Sequence, residues 1–309
     1  MIKEPLRGSF FLRGRKVDSW NSYWQQGNED CLPVSNDRGI QKKIETFWQD
    51  TVVNSLKPKK GSVLTILDIA CGHGYATKQL AEALQQEPSM FYALDLARVS
   101  FNLPAASPHK LEVLSETPLQ AFNQEVDLVV SNFGIEYLPL DVSLNQIDEI
   151  LISGGKLAFN LHHPDSLISK NSGNEQSALL SWFNDEQLTE LEVRLTDSFT
   201  MRVAQSYLLR LQQLNNAAQG FLANSGLPDT IVQSLGVAQR QNKGTQFERI
   251  KMIYRDYVVR LEEQKRAAFV AQELALRLEQ NSDYAIQLAA LLHHNEYGII
   301  SQTLIATKK

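Results

Sequence analysis

Leu64-Thr65-Ile66-Leu67-Asp68-Ile69-Ala70-Cys71-Gly72-His73-Gly74-Tyr75-Ala76 is the stretch that decides the fold. An apolar run ends in an acid and a turn of small residues follows. Ala76, Leu80, Ala83 and Leu84 then recur at helical spacing. The reading is strand, tight turn, helix. Small turn residues let a ligand lie against bare backbone, and a helix N-terminus aims its N–H groups at it. A second apolar run, Phe91-Tyr92-Ala93-Leu94, ends in Asp95. An acid at the end of a second strand can hold both hydroxyls of a ribose. The alternative is an ordinary buried strand-to-helix turn with no ligand.

Outward from this stretch, strands are predicted at Val63–Leu67, Phe91–Leu94, Leu111–Leu114, Val126–Val130 and Lys156–Leu161, with helices at Tyr75–Gln85 and Leu144–Leu151. Short apolar strands alternating with helices predict an α/β fold, a doubly wound and mostly parallel sheet. Its ligand belongs at the strand C-terminal ends, where the strand order reverses. Ahead of this core, residues 1–17 carry Arg7, Arg13, Arg15 and Lys16 and read as a solvated or phosphate-binding arm. Trp20, Tyr23 and Trp24 fall on one helix face. A helix is expected over Ile40–Leu56. Residues 1–60 thus form an N-terminal cover, and 61–170 the core. Residues 171–290, rich in Gln, Leu, Ala, Glu and Arg, read as a helical insertion serving as a lid, a homodimer interface or both. Residues 291–309 bring the chain back to the sheet through Tyr297–Ala306, whose strand partner the sequence does not reveal.

Composition narrows the class. The chain has 309 residues, 43% apolar, with a net charge of −5. Scattered cations give no general attraction to nucleic acid, so a nucleic-acid partner is not expected. Of two cysteines, Cys31 and Cys71, one lies in the turn, which speaks against a structural disulfide. No apolar run reaches transmembrane length, and Met1–Pro5 lacks a signal-peptide core; a cytoplasmic protein without membrane contact is expected. His293-His294 have no third clustered ligand, so no metal is expected.

The segment Asp68-Ile69-Ala70-Cys71-Gly72-His73-Gly74 resembles the first motif of class I, Rossmann-like S-adenosylmethionine (SAM)-dependent methyltransferases, acid-x-Gly-x-Gly-x-Gly, with Ala70 in the first glycine place. A dinucleotide turn would need a third glycine where this chain has Thr77. The resemblance covers about residues 60–165 and the last strand, and implies a seven-stranded-type sheet carrying the insertion. It also implies SAM as cofactor and roles for individual residues. Ala70, Cys71, Gly72 and Gly74 pass beside the methionine portion and ribose, and Asp68 helps with the α-ammonium group. Asp95 holds the ribose diol and Leu96 lies against the adenine. Ser115 and Glu116 stand where the family often has an acid for the adenine amino group, here displaced by one. Ser131 and Asn132 flank the methionine part, and Phe133 walls the transfer site. Ser131-Asn132-Phe133-Gly134 departs from the Asn/Asp-Pro-Pro-aromatic motif of amino-group methyltransferases, which speaks against base methylation.

The acceptor side is less defined. Tyr23 and Trp24 lie across the cofactor in similar small-molecule methyltransferases, or simply dock their helix. Glu136 and Tyr137 follow strand four and line an acceptor pocket or pack in the core. His162 is a candidate general base for O-methylation, since imidazole titrates near neutrality; otherwise it and His163 cap the strand beside Pro164. The expected function is methyl transfer to a small molecule, O-methylation slightly ahead. Methylation of a protein or tRNA and a non-catalytic SAM-binding subunit are the alternatives.

Overall fold

The computed structural model describes residues 19–25, 27, 37–56, 62–182, 201–217, 233 and 243–309. The basic arm at 1–17 and Cys31 lie outside the described residues.

Residues 19–25 form a short helix, α1. Helix α2, Arg38–Thr46, starts at Asp37, whose carboxylate accepts from the N–H groups of Gly39 and Ile40. Such a cap contributes about 1 kcal/mol. It runs into a wide π turn, Phe47–Val52, and ends at Ser55. Strand β1 is Leu64–Ile69 and helix α3 Tyr75–Ala83. Strands β2, Ser89–Leu94, and β3, Lys110–Leu114, come next. Then follow β4, Val126–Asn132, helix α4, Leu140–Ile150, and β5, Leu151–Leu161. Helices α5, Leu167–Trp182, α6, Met201–Ala217, and α7, Lys243–Gln280, precede strands β6, Tyr284–His294, and β7, Gly298–Lys308.

The seven strands make one sheet in the order β3-β2-β1-β4-β5-β7-β6. The first five are parallel, and β7 enters antiparallel between β5 and β6. The order reverses between β1 and β4, which places a crevice at their C-terminal ends. Alternate side chains pack on opposite faces, as the two-residue period requires. Ile66, Phe91, Leu128 and Val130 meet α2 and α3 through Ile44, Trp48, Ala76 and Leu80. Leu67, Val129, Leu157 and Phe159 meet α4 and the end of α7 through Ile147, Ala271, Leu274 and Leu278.

Two expectations need correction. No helix links β2 to β3: residues 95–109 cross as loop, with Pro104 and Pro108 inside it, and β3 to β4 has only the short 3-10 turn Leu119–Ala121. Strand β6 begins at Tyr284, inside the stretch read as helical to 290, and supplies the missing partner of the terminal strand.

The chain divides into two compact units. One holds Trp20–Ser169 and Arg266–Lys309, the other Lys170–Lys265 with the N-terminal residues up to Ser19. Inside the second, polar groups join α5 to α7. Tyr257 donates to Glu175 at 2.7 Å, and Ser172 donates to Gln264 at 3.0 Å. The Arg260 guanidinium lies 4.8 Å from the Tyr257 ring centroid. Tyr254 and Tyr257 are buried, as a packing stripe would be.

Candidate active site

The site is built where β1, β2, β4 and β5 end. Asp68, near the end of β1, is fully buried. Its Oδ2 accepts from the Thr77 hydroxyl at 2.7 Å and the Thr77 N–H at 3.2 Å, while Oδ1 has no partner. Thr77 therefore does more than break a dinucleotide pattern: it fixes one acid with two hydrogen bonds. Asp95, just past β2, accepts from Gly72 N–H through Oδ2 and from Ala97 N–H through Oδ1, both at 2.8 Å. An ionised carboxylate has about four lone-pair sites, so both acids keep acceptor capacity. Burial pushes Asp68 up to about 7 and Asp95 up to about 6.

Between them the turn is wound tightly. Ala70, Gly72 and Gly74 have positive φ values of 53°, 53° and 76°. The glycine faces are not bare backbone, as the sequence reading held. A Cβ at position 72 would come within 2.4 Å of the Trp24 ring, and one at 74 within 2.1 Å of the Phe101 ring. Trp24 is buried and lies 5.1 Å, centroid to centroid, from His73; Trp20 stacks on Trp24, and Tyr23 meets it edge-on. The N-terminal aromatic segment thus both docks α1 and lies on the turn. Asn21 helps to hold it by accepting from Arg98 N–H at 2.6 Å. Phe101, from the helix-free β2–β3 crossover, went unmarked in the sequence.

The other predicted residues fall in different settings. Leu96 is half exposed. Ser115 accepts from Val99 N–H at 2.9 Å, so it braces the β2–β3 loop. Glu116 pairs with Arg98 at 3.0 Å, both side chains more than half exposed, so solvent screens the pair. Ser131 donates to Ile69 O at 2.7 Å and accepts from Ile135 N–H at 2.8 Å, tying β1 to the turn after β4. Asn132 accepts from Trp48 at 3.2 Å and from Asn160 at 2.8 Å. Trp48 sits in the π turn, a distortion frequent at functional sites. Its place on the apolar face of the expected Ile40–Leu56 helix gave no hint of this polar contact.

Across the crevice, Phe133, at φ 54°, stacks on His162 with centroids 4.8 Å apart. His162 is fully buried, and burial lowers it to about 3, so the ring is neutral. Its backbone N–H donates to Glu136 Oε1 at 2.9 Å, and its Nε2 lies 2.9 Å from the Tyr137 hydroxyl. Glu136 is fully buried and pushed up to about 7; its Oε2 has no partner, nor has His162 Nδ1. Tyr137 is half-buried, and Trp20 meets it edge-on at 5.2 Å. His163 faces outward, its Nδ1 accepting from Asp165 N–H. Among the described residues no group of His, Cys, Asp and Glu could hold a metal ion, and no helix is long and apolar enough to cross a membrane.

The strand order and the two acid-ended strands define a Rossmann-like core. Residues 67–159 match the methyltransferase-domain family. A malonyl-[acyl-carrier protein] O-methyltransferase from Acetivibrio thermocellus is 32% identical over 127 residues. That stretch is 38% of this chain and 42% of the relative, so the chain spans under half the relative's length. Among solved structures, magnesium protoporphyrin IX methyltransferase from Synechocystis PCC 6803 is 11% identical, with a TM-score of 0.44, covering 96% of this chain and 100% of the other. The 1,6-didemethyltoxoflavin-N1-methyltransferase of Burkholderia thailandensis is 11% identical, with a TM-score of 0.43, covering 100% and 93%.

The residues present fit SAM. Two buried carboxylates stand at neighbouring strand ends, one with an unpaired oxygen, and suit a ligand that carries an ammonium group, a sulfonium and a ribose diol. Trp24 and Phe101 cover the faces of Gly72 and Gly74.

Proposed function

We propose that this protein is a SAM-dependent methyltransferase acting on a small-molecule acceptor, with O-methylation favoured slightly over N- or C-methylation. The observation that carries it is the Asp68–Asp95 pair, two buried acids flanking a left-handed turn, with Asp68 Oδ1 unpaired. Bound SAM supplies an electrophilic methyl group on a good neutral leaving group. The chain's part is to hold the acceptor in line with that methyl and to exclude water. Asp95 receives the ribose hydroxyls, and Asp68 faces the ammonium. Trp24 and Tyr23 cover the cofactor, and Phe133 walls the transfer point. Tyr137 lines the acceptor side, with Glu136 and His162 buried behind it and the His162 imidazole as the final proton acceptor.

Calorimetric titration with SAM and with S-adenosylhomocysteine tests the cofactor reading. Methyl-labelled SAM incubated with separate small-molecule and macromolecular extract fractions tests the acceptor class. Label entering only the macromolecular fraction would reject a small acceptor and favour a protein or tRNA. SAM binding with no transfer to either fraction would mark a non-catalytic subunit. Mass-spectrometric fragmentation of the product separates O- from N-methylation. The helical stretch 171–265 is proposed as a homodimer surface, which light scattering of the full chain checks.

A further inference from the structure

Glu136, Tyr137 and His162 form one assembly whose parts differ in accessibility. Glu136 and His162 are fully buried, whereas Tyr137 is half-buried. Glu136 pins the His162 backbone, Phe133 fixes the ring plane, and Trp20 presses on the Tyr137 ring. The Tyr137 hydroxyl lies 2.9 Å from His162 Nε2. A buried imidazole cannot itself touch an acceptor molecule, but the phenol bonded to it can.

We infer that Tyr137 is the catalytic residue that meets the acceptor hydroxyl and relays its proton to His162 Nε2. This rests on the O-methylation reading above. The acceptor oxygen bonds the methyl carbon while the carbon–sulfur electron pair stays on the sulfur. The proton lost by that oxygen passes to Tyr137 Oη as the Tyr137 proton moves to His162 Nε2. The imidazolium afterwards loses its proton to solvent. His162 is thus a positioning residue acting through Tyr137. Burial makes His162 a weak base, yet a weak base suffices: the acceptor oxygen becomes strongly acidic as the carbon–oxygen bond forms, so the proton transfer turns downhill within the methyl-transfer step itself. An imidazole nitrogen also accepts a hydrogen bond far better than a phenol oxygen does, which favours Tyr137 as donor. The relay requires the neutral tautomer that carries its proton on Nδ1.

The test uses the full-length protein saturated with S-adenosylhomocysteine, with isotope-labelled histidine. The nitrogen NMR signals of His162 are assigned by their loss in His162→Gln. The expected result is a bare Nε2 whose shift moves in Tyr137→Phe. A protonated Nε2, or a shift unmoved by Tyr137→Phe, overturns the relay. In parallel, transfer from labelled SAM to phenol and catechol is compared with transfer to benzylamine. Tyr137→Phe is expected to slow hydroxyl methylation by about 10²- to 10⁴-fold, the scale of general acid–base catalysis, with unchanged SAM affinity. Equal rates in wild type and Tyr137→Phe overturn the relay even if the tautomer is right. Transfer to the amine alone defeats the O-methylation reading, and the spectrum then still decides the Tyr137–His162 bond by itself.

Discussion

The two sides of the crevice are held by different kinds of bond. On the β1–β2 side the acids are anchored largely by main chain: Asp95 takes two backbone N–H groups, and Asp68 takes a backbone N–H and a hydroxyl from Thr77. On the β4–β5 side, Tyr137 meets His162 side chain to side chain, and Glu136 Oε2, Asn160 Oδ1 and His162 Nδ1 have no partner, against Asp68 Oδ1 on the other side. The first arrangement is braced mainly by backbone. The second leaves more unsatisfied groups, costly unless a ligand uses them.

The largest break in this contrast should come from Gly72→Val. A β-branched residue at φ 53° is strained, and its Cβ would strike Trp24. SAM affinity should fall by more than about 100-fold, since about 3 kcal/mol of strain corresponds to that factor. Normal calorimetric affinity would show that neither the turn nor Trp24 borders the cofactor.

Asp95→Ala should weaken SAM by roughly ten- to a hundredfold, the scale of lost charge-assisted hydrogen bonds. The same change should leave the Tyr137–His162 hydrogen bond intact. A collapse of both sides together, seen in thermal melting, would deny their independence.

The pH response sharpens the contrast further. Asp68, Asp95 and Glu136 have folded-state values near 7, 6 and 7, above their unfolded ones. Their contribution to stability is full below about pH 4 and is lost as pH rises through about 6 to 7. His162 is lowered to about 3, so its contribution is present above about 6.5 and is lost as pH falls through that window. Three groups oppose one, so between about pH 5 and pH 8 the ligand-free melting temperature should fall as pH rises. Cationic SAM prefers the ionised acids, so its affinity should rise about tenfold from pH 6 to pH 8, the factor for one acid titrating at 7. A flat affinity profile would remove Asp68 from the cofactor site.

The smallest effect is expected from Glu116→Gln. Glu116 forms an exposed, solvent-screened ion pair with Arg98, so SAM affinity should shift by less than about fivefold. A larger loss would restore Glu116 as the adenine contact that the family pattern implies.

The β1–β2 side was legible in the sequence because its parts are local. Asp68, the small-residue turn and Asp95 lie within one strand–turn–helix–strand unit, and apolar runs ending in acids mark them. What the sequence hid is non-local. Trp24 and Phe101 reach the glycines from separate segments. Tyr137 and His162 meet only because β4 and β5 run parallel, with Asn132 beside Asn160. Tyr284–His294 is rich in Ala and Leu and reads equally as helix; pairing with β7 makes it a strand. That hairpin also changes how the insertion can be probed. A deletion of 175–290 would remove Ala271, Leu274 and Leu278 from the core cluster together with half of β6. Loss of turnover there would report unfolding rather than loss of a lid.

Cys71 lies in the turn, buried and free, against Gly72 and between the two acids. A thiolate is the strongest nucleophile a protein carries, and a sulfonium methyl donor is an electrophile. Burial, reinforced by the charges of Asp95 and Asp68, holds the Cys71 thiol well above the usual range. The carboxylates that flank the turn thus help keep this sulfur protonated, and a protonated thiol is a poor nucleophile toward such a donor.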